Sequence, residues 1–476
     1  MRARLLAAGL ALLAGSARAG VRPAWGGELR VGLPAAPHLA DPARAVDPAD
    51  LFLVRAVHAP LLEIDAHGAL APGLLAEVPA PEEGGRVFRL RLRPGLRFSD
   101  GAPLGAPEVA ASLCRLLARD PPSPHAWVAL AILGAEEVVA GRNAIPAGLQ
   151  VLSATELVVT LALPLPDFPW ALASLPASPV SPAGAGAGPF ALVAQDPRGA
   201  RLVANALHPG GRAYADGLLL SAADPRGAAR ALAAGTLDLV LRPEAAGPAP
   251  VATAALLATV AAVNGPRLGP GAEAVRRALS AHDRGELARL FARGPAEPLL
   301  TLAPAALLPA APPAPAAAGA PAPPGPARLV LLVPAGAGEA RAAAERIQVK
   351  LFDRGLRAAV SAEEPPRFAA RLAAGDYDVA LVPVPVLALR PALAAAEIAL
   401  ATRGPGAARQ ALAELGVAPP AELPARLDAL ARALDLVPLL ATGERASAGP
   451  ALQGLRPLPD GGLDPGDLWL LRGGQR

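Results

Sequence analysis

The amino-acid sequence predicts an α/β protein with two separated α/β regions and one β-rich segment. Residues 329–382 alternate strand and helix patterns in the order β-α-β-α-β, which is typical of a parallel sheet with right-handed crossovers. Residues 190–241 show a second alternation, and residues 87–163 are rich in strand patterns. Because 476 residues exceed what one hydrophobic core usually organises, we expect two or three lobes.

Local patterns predict the elements of the N-terminal part. Residues 28–33 alternate in polarity between glycines and a proline, which indicates a strand, and residues 48–62 carry apolar side chains at helical spacing. Strict alternation over Val87–Arg93 predicts a strand with one basic, solvated face. Helical spacing returns over residues 106–117, and residues 156–163 form the next predicted strand.

The same patterns continue to the C-terminus. We predict strands over 190–193, 201–204, 238–241, 329–333, 356–361 and 378–382, and helices over 222–234, 273–291, 339–352, 367–374 and, interrupted at Gly404-Pro405 and Pro419-Pro420, 391–434. Asp238 and Asp378 each precede a buried strand, and we expect them to hold the neighbouring loops.

A proline- and alanine-rich tract covers residues 302–327. Such a composition favours extended, polyproline-like chain and cannot bury a core. We interpret it as a surface excursion within one lobe; a domain boundary is the alternative.

The first 19 residues have the pattern of a secretion signal. Arg2 and Arg4 precede a short apolar run over residues 5–14, and Ser16–Ala19 offers small residues where a signal peptidase reads. The run is too short for a bilayer, which needs about 20 residues, so a retained membrane anchor is the weaker alternative. We predict cleavage after Ala19 and a periplasmic protein without a lipid-attachment cysteine.

Charge and cysteine content exclude several classes of function. Removing Arg2, Arg4 and Arg18 lowers the formal net charge from +3 to 0, and both signs of charge are interspersed, so we expect no nucleic-acid binding. The single cysteine, Cys114, cannot form an internal disulfide. It lies in an apolar helical pattern, which predicts a small buried hydrophobe.

No catalytic, metal or cofactor motif is recognisable. The six histidines are scattered without metal-ligand spacing, and there is neither a Gly-x-Ser-x-Gly motif nor a phosphate-binding loop. The glycines of residues 184–188 follow no strand closely and open no helix, unlike a dinucleotide fingerprint. The sequence therefore predicts no enzyme activity, no metal and no cofactor.

The segment Leu70–Pro103 carries a distinctive set of motifs. Ala71-Pro72-Gly73-Leu74-Leu75-Ala76 is followed by the alternating strand and turn of residues 88–95 and then by Phe98-Ser99-Asp100-Gly101. This order and spacing resemble the family 5 extracellular solute-binding proteins, the peptide and nickel binders of bacterial ABC importers. Further similar motifs are Gly186–Phe190, Gly235–Asp238 and Gly375–Asp378.

The resemblance implies a two-lobe periplasmic-binding-protein clamshell with an additional β-rich subdomain in the first lobe. Lobe I would take residues 20–245 and 437–476, with the subdomain at about 50–167, and lobe II residues 246–436. Such a monomer would capture a small solute, possibly a peptide, by hinge closure and deliver it to an ABC permease in the inner membrane. The alternative is a degenerate scaffold that acts as a periplasmic interaction or sensor protein without transport.

One segment departs from the family pattern. After Gly375–Asp378 the family carries an aromatic and acidic stretch, whose acid can hold a peptide amino group. Here Val384 stands in place of the aromatic residue, and no acid follows until Glu397. Because a buried ammonium needs a paired charge, we expect a more apolar ligand or weak binding.

Five residues are candidates for solute contact. His38 and Asp41 follow the first strand at its C-terminal end, where ligands meet α/β sheets, although His38 has a surface-loop role as its alternative. Pro383 and Val384 occupy the matching cleft segment of the second lobe. Tyr377 is one of two tyrosines, and packing is its alternative role.

Overall fold

The computed structural model describes residues 22–244, 249–281, 284–291, 294–309 and 328–471. The predicted signal segment, the expected lobe junction at residues 245 and 246, and residues 310–327 of the proline-rich tract lie outside the described residues. None of the described helices has the length and apolar character that crossing a membrane requires.

Helices and strands alternate along the described chain. The first third contains β1 (Glu28–Leu33), α1 (Pro48–Val57), β2 (Leu62–Ile64), β3 (Leu70–Pro72), β4 (Val87–Arg91), α2 (Ala106–Arg115), α3 (Ala135–Val139), β5 (Leu149–Val151), β6 (Glu156–Thr160) and α4 (Phe168–Leu172). The middle third contains β7 (Phe190–Asp196), β8 (Gly199–Ala204), β9 (Gly217–Ala222), α5 (Ala228–Ala233), β10 (Leu239–Leu241), β11 (Pro250–Ala252), β12 (Leu257–Val263), α6 (Gly265–Leu268), α7 (Ala272–Ser280), α8 (Arg284–Phe291) and β13 (Ala296–Pro298). The last third contains β14 (Leu329–Pro334), α9 (Gly338–Phe352), β15 (Ala358–Glu363), α10 (Pro365–Ala374), β16 (Val379–Pro385), α11 (Pro391–Arg403), α12 (Pro405–Leu415), α13 (Leu423–Ala433), β17 (Leu436–Thr442), β18 (Arg445–Ala448), β19 (Leu452–Gln453) and β20 (Trp469–Leu470).

Two large sheets form the centres of the two lobes. The first has the strand order β11-β18-β10-β1-β9-β8-β7, and the second has the order β13-β17-β12-β16-β14-β15. In the first sheet β1 runs parallel to β9 and β10, and in the second β14 runs parallel to β15 and β16. The predicted parallel β-α-β-α-β unit is confirmed, and antiparallel strands complete both sheets.

An aspartate holds the same position in both parallel units. Asp238 precedes β10, and its Oδ2 accepts the backbone N–H of Arg30 at 2.8 Å. Asp378 precedes β16, and its Oδ2 accepts the backbone N–H of Val330 at 2.7 Å. Each carboxylate also pairs with a guanidinium, of Arg30 and of Arg267, at 3.0 Å. Both aspartates therefore have a structural role, but each holds a backbone N–H of a neighbouring strand rather than the loop that was expected.

Hydrogen bonding places the crossovers between lobes later in the chain than the predicted junctions. β11 pairs with β18 in the first sheet, and β17 pairs with β12 in the second. The chain therefore enters lobe II after Ala252 and leaves it after Thr442, rather than at residues 246 and 437. The crossover positions depend on pairing between strands that are distant in the sequence, so local sequence patterns do not predict them.

Three further sequence predictions differ from the structure. The helix expected over 222–234 begins at Ala228, because Asp224 accepts the N–H of Arg226 in a turn. The helix expected over 273–291 is divided into α7 and α8. Cys114 is only half-buried.

The β-rich subdomain shares its apolar core with the second lobe. One cluster of buried side chains joins Phe88 and Trp127 of the subdomain to Leu393 and Leu412 of lobe II, whereas β1 and α1 belong to a separate core. The assignment of the subdomain to the first lobe stays a prediction. The apolar faces of α11 and α12 nevertheless make lobe II its main packing partner.

Candidate functional site

Two segments side by side connect the lobes and form a hinge. Residues 253–256 follow β11, and residues 443–444 follow β17. The N–H of Thr253 donates to the carbonyl oxygen of Glu444 at 2.9 Å, and the N–H of Glu444 donates to Oγ1 of Thr253 at 2.8 Å. Short paired crossovers of this kind let two lobes bend while they stay in register.

Gly443 allows the two hinge segments to pass close together. A Cβ atom at this position would lie 2.5 Å from the carbonyl oxygen of Thr253 and 2.7 Å from that of Ala254. Such distances are far shorter than van der Waals contact, so glycine is required by the close approach of backbone to backbone.

A solvent-open cavity lies beside the hinge, between the two sheets. Both lobes contribute to its lining, which makes it an interlobe cleft. The lining residues are Val46, Pro48, Leu51, Phe52, Arg55, Leu241, Thr253, Ala254, Leu256, Leu257, Pro385, Val386, Leu387, Thr442, Gly443, Glu444, Asp460, Gly461, Gly462 and Leu463.

Charged side chains line the first-lobe and hinge side of the cleft. Arg55 of α1 pairs with Asp460 at 2.7 Å, and Arg242 pairs with Glu444 at 3.5 Å. Burial raises the pKa of Glu444; the guanidinium of Arg242 opposes this rise, and the carboxylate of Glu339 adds to it. The cleft thus has two carboxylates and the guanidinium of Arg55 in its lining, while Arg242 pairs with Glu444 beside it.

The second-lobe side of the cleft is apolar. It consists of the end of β16 with the two residues that follow and of the start of β12: Pro385, Val386, Leu387, Leu256 and Leu257. The N–H of Val386 donates to the carbonyl oxygen of Leu256 at 2.8 Å, which holds the two stretches together. A solute would therefore meet charge on one side and hydrocarbon on the other.

Glu397 supports this apolar wall from behind. Its side chain is 2% exposed, and Oε2 accepts the N–H groups of Leu387 at 2.9 Å and Ala388 at 3.3 Å. Glu397 is the first acid after the segment in which this chain lacks the family's aromatic and acidic stretch. Its carboxyl group holds the backbone of that wall and is not directed at a solute. Burial raises its pKa to about 8, against the opposing effect of the two N–H donors and of Trp127.

A second contact between the subdomain and lobe II lies behind the cleft. The turn Ala126–Val128 packs on α11 and α12, and we call this contact the seam. At its margin the guanidinium of Arg390 lies 3.7 Å from the ring centroid of Trp170, a cation–π contact. Trp127 at its centre is 1% exposed.

Two of the sequence-predicted candidates, His38 and Asp41, lie on the loop after β1. His38 is exposed, and its Nδ1 lies 3.4 Å from Oδ2 of Asp50. Asp41 pairs with Arg115 at 2.6 Å and accepts the N–H of Ala43. Neither lines the cavity, and the bonds of Asp41 fix its own loop.

The three other candidates all belong to the segment through β16. Tyr377 is 3% exposed and precedes the strand, so it lies at the end away from the cleft, where Arg403 donates to its hydroxyl at 2.9 Å. Pro383 and Val384 lie on β16 just before Pro385, the first residue of the strand that lines the cavity. The structure does not bring the five candidates together.

His38, Asp47 and Asp50 carry possible metal-ligand atoms within 4.8 Å of one another. Oδ1 of Asp50 already accepts the N–H groups of His38 and Leu39. Burial raises the pKa of Asp47, and the carboxylate of Asp50 adds to the rise. These bonds explain the cluster as a device that ties the loop to the start of α1.

Sequence reasoning missed the charged lining residues. Arg55 interrupts the apolar run of α1, and a charge within such a pattern is a usable signal. Glu444 and Asp460 belong to no motif, and their position at the cleft follows only from the crossing of the hinge segments.

Comparison with known proteins agrees with this architecture. Residues 69–384, about two thirds of the chain, match the model of the bacterial extracellular solute-binding proteins, family 5. The periplasmic murein peptide-binding protein MppA of Escherichia coli is 28% identical over 131 residues, which are 27% of this chain and 24% of that protein. The match thus spans about a quarter of the curated relative.

Solved structures match over nearly the whole chain. The E. coli murein tripeptide binding protein MppA has a TM-score of 0.77 at 19% identity and is aligned over 95% of this chain and 100% of its own. The Helicobacter pylori periplasmic binding protein DppA, in complex with the peptide STSA, has a TM-score of 0.72 at 16% identity over 94% and 99% of the two chains. This chain has the two-lobe fold of periplasmic binding proteins and belongs to the bacterial extracellular solute-binding proteins of family 5.

Proposed function

We propose that this protein is the substrate-binding component of an ABC import system. It captures a small, peptide-like solute in the interlobe cleft and delivers it to a permease in the inner membrane. The observation that carries the proposal is a solvent-open cavity at the hinge that residues of both lobes line. Its relatives of known structure carry peptide- and tripeptide-binding names.

Capture follows from the division of the lining between lobes. A solute that touches both walls has more contacts when the lobes are closed, and it therefore shifts the population toward the closed arrangement. Thr253 and Glu444 keep the two hinge segments paired during the movement. The closed form is the one that a permease would distinguish from the empty protein.

The two walls indicate the chemistry of the solute. Glu444 and Asp460 can accept from a cationic end, while Arg55 can donate to an anionic one. The side with Leu256 receives apolar side chains. A short peptide-like molecule with polar ends on the first lobe and hydrocarbon on the second fits this arrangement.

We also propose export to the periplasm, a monomeric protein and no catalysis. The family is described as extracellular, and MppA is named as a periplasmic binding protein. The signal segment and the interaction with a permease stay predictions. The cleft supports solute capture rather than a scaffold that has lost it.

The test is calorimetric titration of the secreted protein against dipeptides and tripeptides with free or acetylated amino ends. Ala254 is exposed and lines the cleft, so Ala254→Trp fills it and should abolish binding. Ala413→Trp, on the exposed face of α12, is the matched control and should bind normally. Binding that survives Ala254→Trp would show that the solute lies elsewhere, and absence of any binding would favour the non-transporting scaffold.

A further inference from the structure

Three polar side chains meet inside the otherwise apolar seam. His125 and Trp127 come from the subdomain and Glu397 from α11, and each is 1% or 2% exposed. Nδ1 of His125 lies 3.9 Å from Oε1 of Glu397. Among the described residues these two atoms, and Nε1 of Trp127, have no hydrogen-bond partner of normal geometry, although the indole is close enough to Glu397 to oppose the rise of its pKa. Buried polar groups are rarely left in this state without a reason.

The other hydrogen bonds of His125 and Glu397 determine which atoms of the two side chains can carry a proton. Nε2 of His125 lies 2.7 Å from the carbonyl oxygen of Ala45, which can only accept, so Nε2 carries a hydrogen. A neutral imidazole then presents a lone pair at Nδ1. Oε2 of Glu397 accepts two backbone N–H groups, so a proton on this carboxyl group belongs on Oε1. The Nδ1 lone pair and Oε1 are 3.9 Å apart, too far for a hydrogen bond in this arrangement, so the proton belongs to the carboxyl group and the imidazole is its nearest basic neighbour.

The proton on Glu397 determines whether the buried pair carries a charge. A carboxylic acid beside a neutral imidazole is uncharged, whereas loss of the proton leaves a buried negative charge that the two N–H groups and the indole of Trp127 offset only in part. β12 and β16, which pack on α11 and are described throughout, carry no titratable side chain. On α12, Arg409 pairs with Glu136, and Glu414 is exposed. Near His125, the carboxylate of Asp41 is neutralised by Arg115.

The pair is connected to both walls of the cleft. His125 holds the carbonyl group of Ala45, which immediately precedes the lining residue Val46. Glu397 holds the N–H of Leu387, which itself lines the cavity. A change at the seam is therefore transmitted by one hydrogen bond to each wall.

We propose that the proton on Glu397, facing His125, is a switch that keeps the β-rich subdomain docked on the second lobe and sets the spacing of the cleft walls. Alkaline pH transfers the proton to solvent, and the buried carboxylate then loosens the seam. The pKa values agree with this direction, since burial raises that of Glu397 to about 8 and lowers that of His125 to about 4. The effect of the switch on solute binding rests on the proposed function, whereas the pH-dependent docking of the subdomain on the second lobe does not.

The test is hydrogen exchange of the solute-free protein, so it is independent of whether a solute is found. In the unmodified protein, residues 126–132 and 391–403 should lose protection as pH rises from 6.5 to 8, by up to about tenfold per pH unit after correction for intrinsic exchange. Glu397→Gln keeps the shape and an oxygen that accepts both N–H groups, and the seam should stay protected. Glu414→Gln, the same change on the exposed surface, should behave as the unmodified protein.

Unchanged protection in the unmodified protein, or an equal loss in Glu397→Gln, would overturn the proposal. If Glu397→Gln does not fold, infrared spectroscopy of the unmodified protein decides the question. A carbonyl band of a buried carboxylic acid should be present at pH 6.5 and should vanish on titration above pH 8. Absence of the band at pH 6.5 would also overturn it.

Discussion

The cleft and the seam are both contacts with the second lobe, yet they are built from opposite kinds of side chain. The cleft is open to solvent and bounded on one side by the pairs Arg55–Asp460 and Arg242–Glu444. The seam is closed, with Trp127 at 1% exposure and Leu393 fully buried.

This difference shows which contact can open. Charged groups at a cleft regain water when lobes separate, so opening costs little. Separating the seam would expose a buried indole and many aliphatic groups, at about 25 cal/mol for each Å². We expect the subdomain to move together with α11 and α12, while bending occurs at residues 253–256 and 443–444.

The largest effect is expected from removing the centre of the seam. Trp127→Ala creates a cavity in the shared core and should lower the free energy of unfolding by about 3–5 kcal/mol, measured by urea denaturation. Trp25→Ala, at a position 53% exposed, is the control and should change it by about 1 kcal/mol or less. Equal effects of the two substitutions would mean that the seam is not a structural core.

The pH dependence of stability is the next largest effect. Glu397 keeps its proton in the folded state up to about pH 8, whereas the unfolded chain loses it near 4.5, so stability falls as pH rises between these values. His58 and His125 act in the opposite direction, because burial lowers each pKa from 6.5 to about 4 and stability falls as pH drops through this range.

The contribution of these three groups should therefore be greatest near pH 6.5. Between pH 6.5 and 8 the loss should reach about 2 kcal/mol, at about 1.4 kcal/mol per pH unit. Urea denaturation across this range should show the alkaline loss in the unmodified protein and not in Glu397→Gln. An alkaline loss of the same size in both proteins would assign it to other groups.

A smaller effect is expected at the hinge. Gly443→Ala places a Cβ atom 2.5 Å from the carbonyl oxygen of Thr253 and should cost about 1–3 kcal/mol. Gly406→Ala on α12 meets no atom within 4 Å and should be neutral or slightly stabilising. Denaturation compares their stabilities, and small-angle scattering compares their shapes. A neutral Gly443→Ala would contradict the close crossing of the hinge segments.

The smallest effect on stability is expected in the cleft. Glu444→Gln removes one charge of a partly exposed pair, so the free energy of unfolding should change by less than about 1 kcal/mol. Affinity for a solute with a cationic end should fall at least about tenfold, measured by calorimetry, because a charge-assisted hydrogen bond is lost. Unchanged affinity would remove Glu444 from the binding site.

Local features account for what could be predicted before the structure. The parallel units were predictable because strand and helix periods differ, and because Gly235 and Gly375, both at positive φ, end helices just before Asp238 and Asp378. Those glycines and aspartates act on residues close by or at the next strand, so their motifs are visible in short stretches of sequence.

The sequence predicted that a cleft lies between two lobes, but it did not identify the residues that line it. Val384 and Pro383 were placed on the right strand, and the lining begins only at Pro385. His38 and Asp41 were chosen from a general rule about strand ends, but their bonds with Asp50 and Arg115 turn them to loop support. Such partners lie on other elements, and a rule about strand ends does not include them.

By itself the sequence determined the parallel unit of residues 329–382, the α/β character of residues 190–241, the family and a design with lobes, because periodicity, turns and spacing act within short stretches of chain. Only the tertiary structure decided that Glu444 and Asp460 line the cleft, and that Glu397 faces His125 within a core shared by subdomain and second lobe. The physical reason is that burial and pairing depend on which distant segments pack together. A carboxylate that reads as a solvated helix residue becomes a buried acid when another lobe covers it.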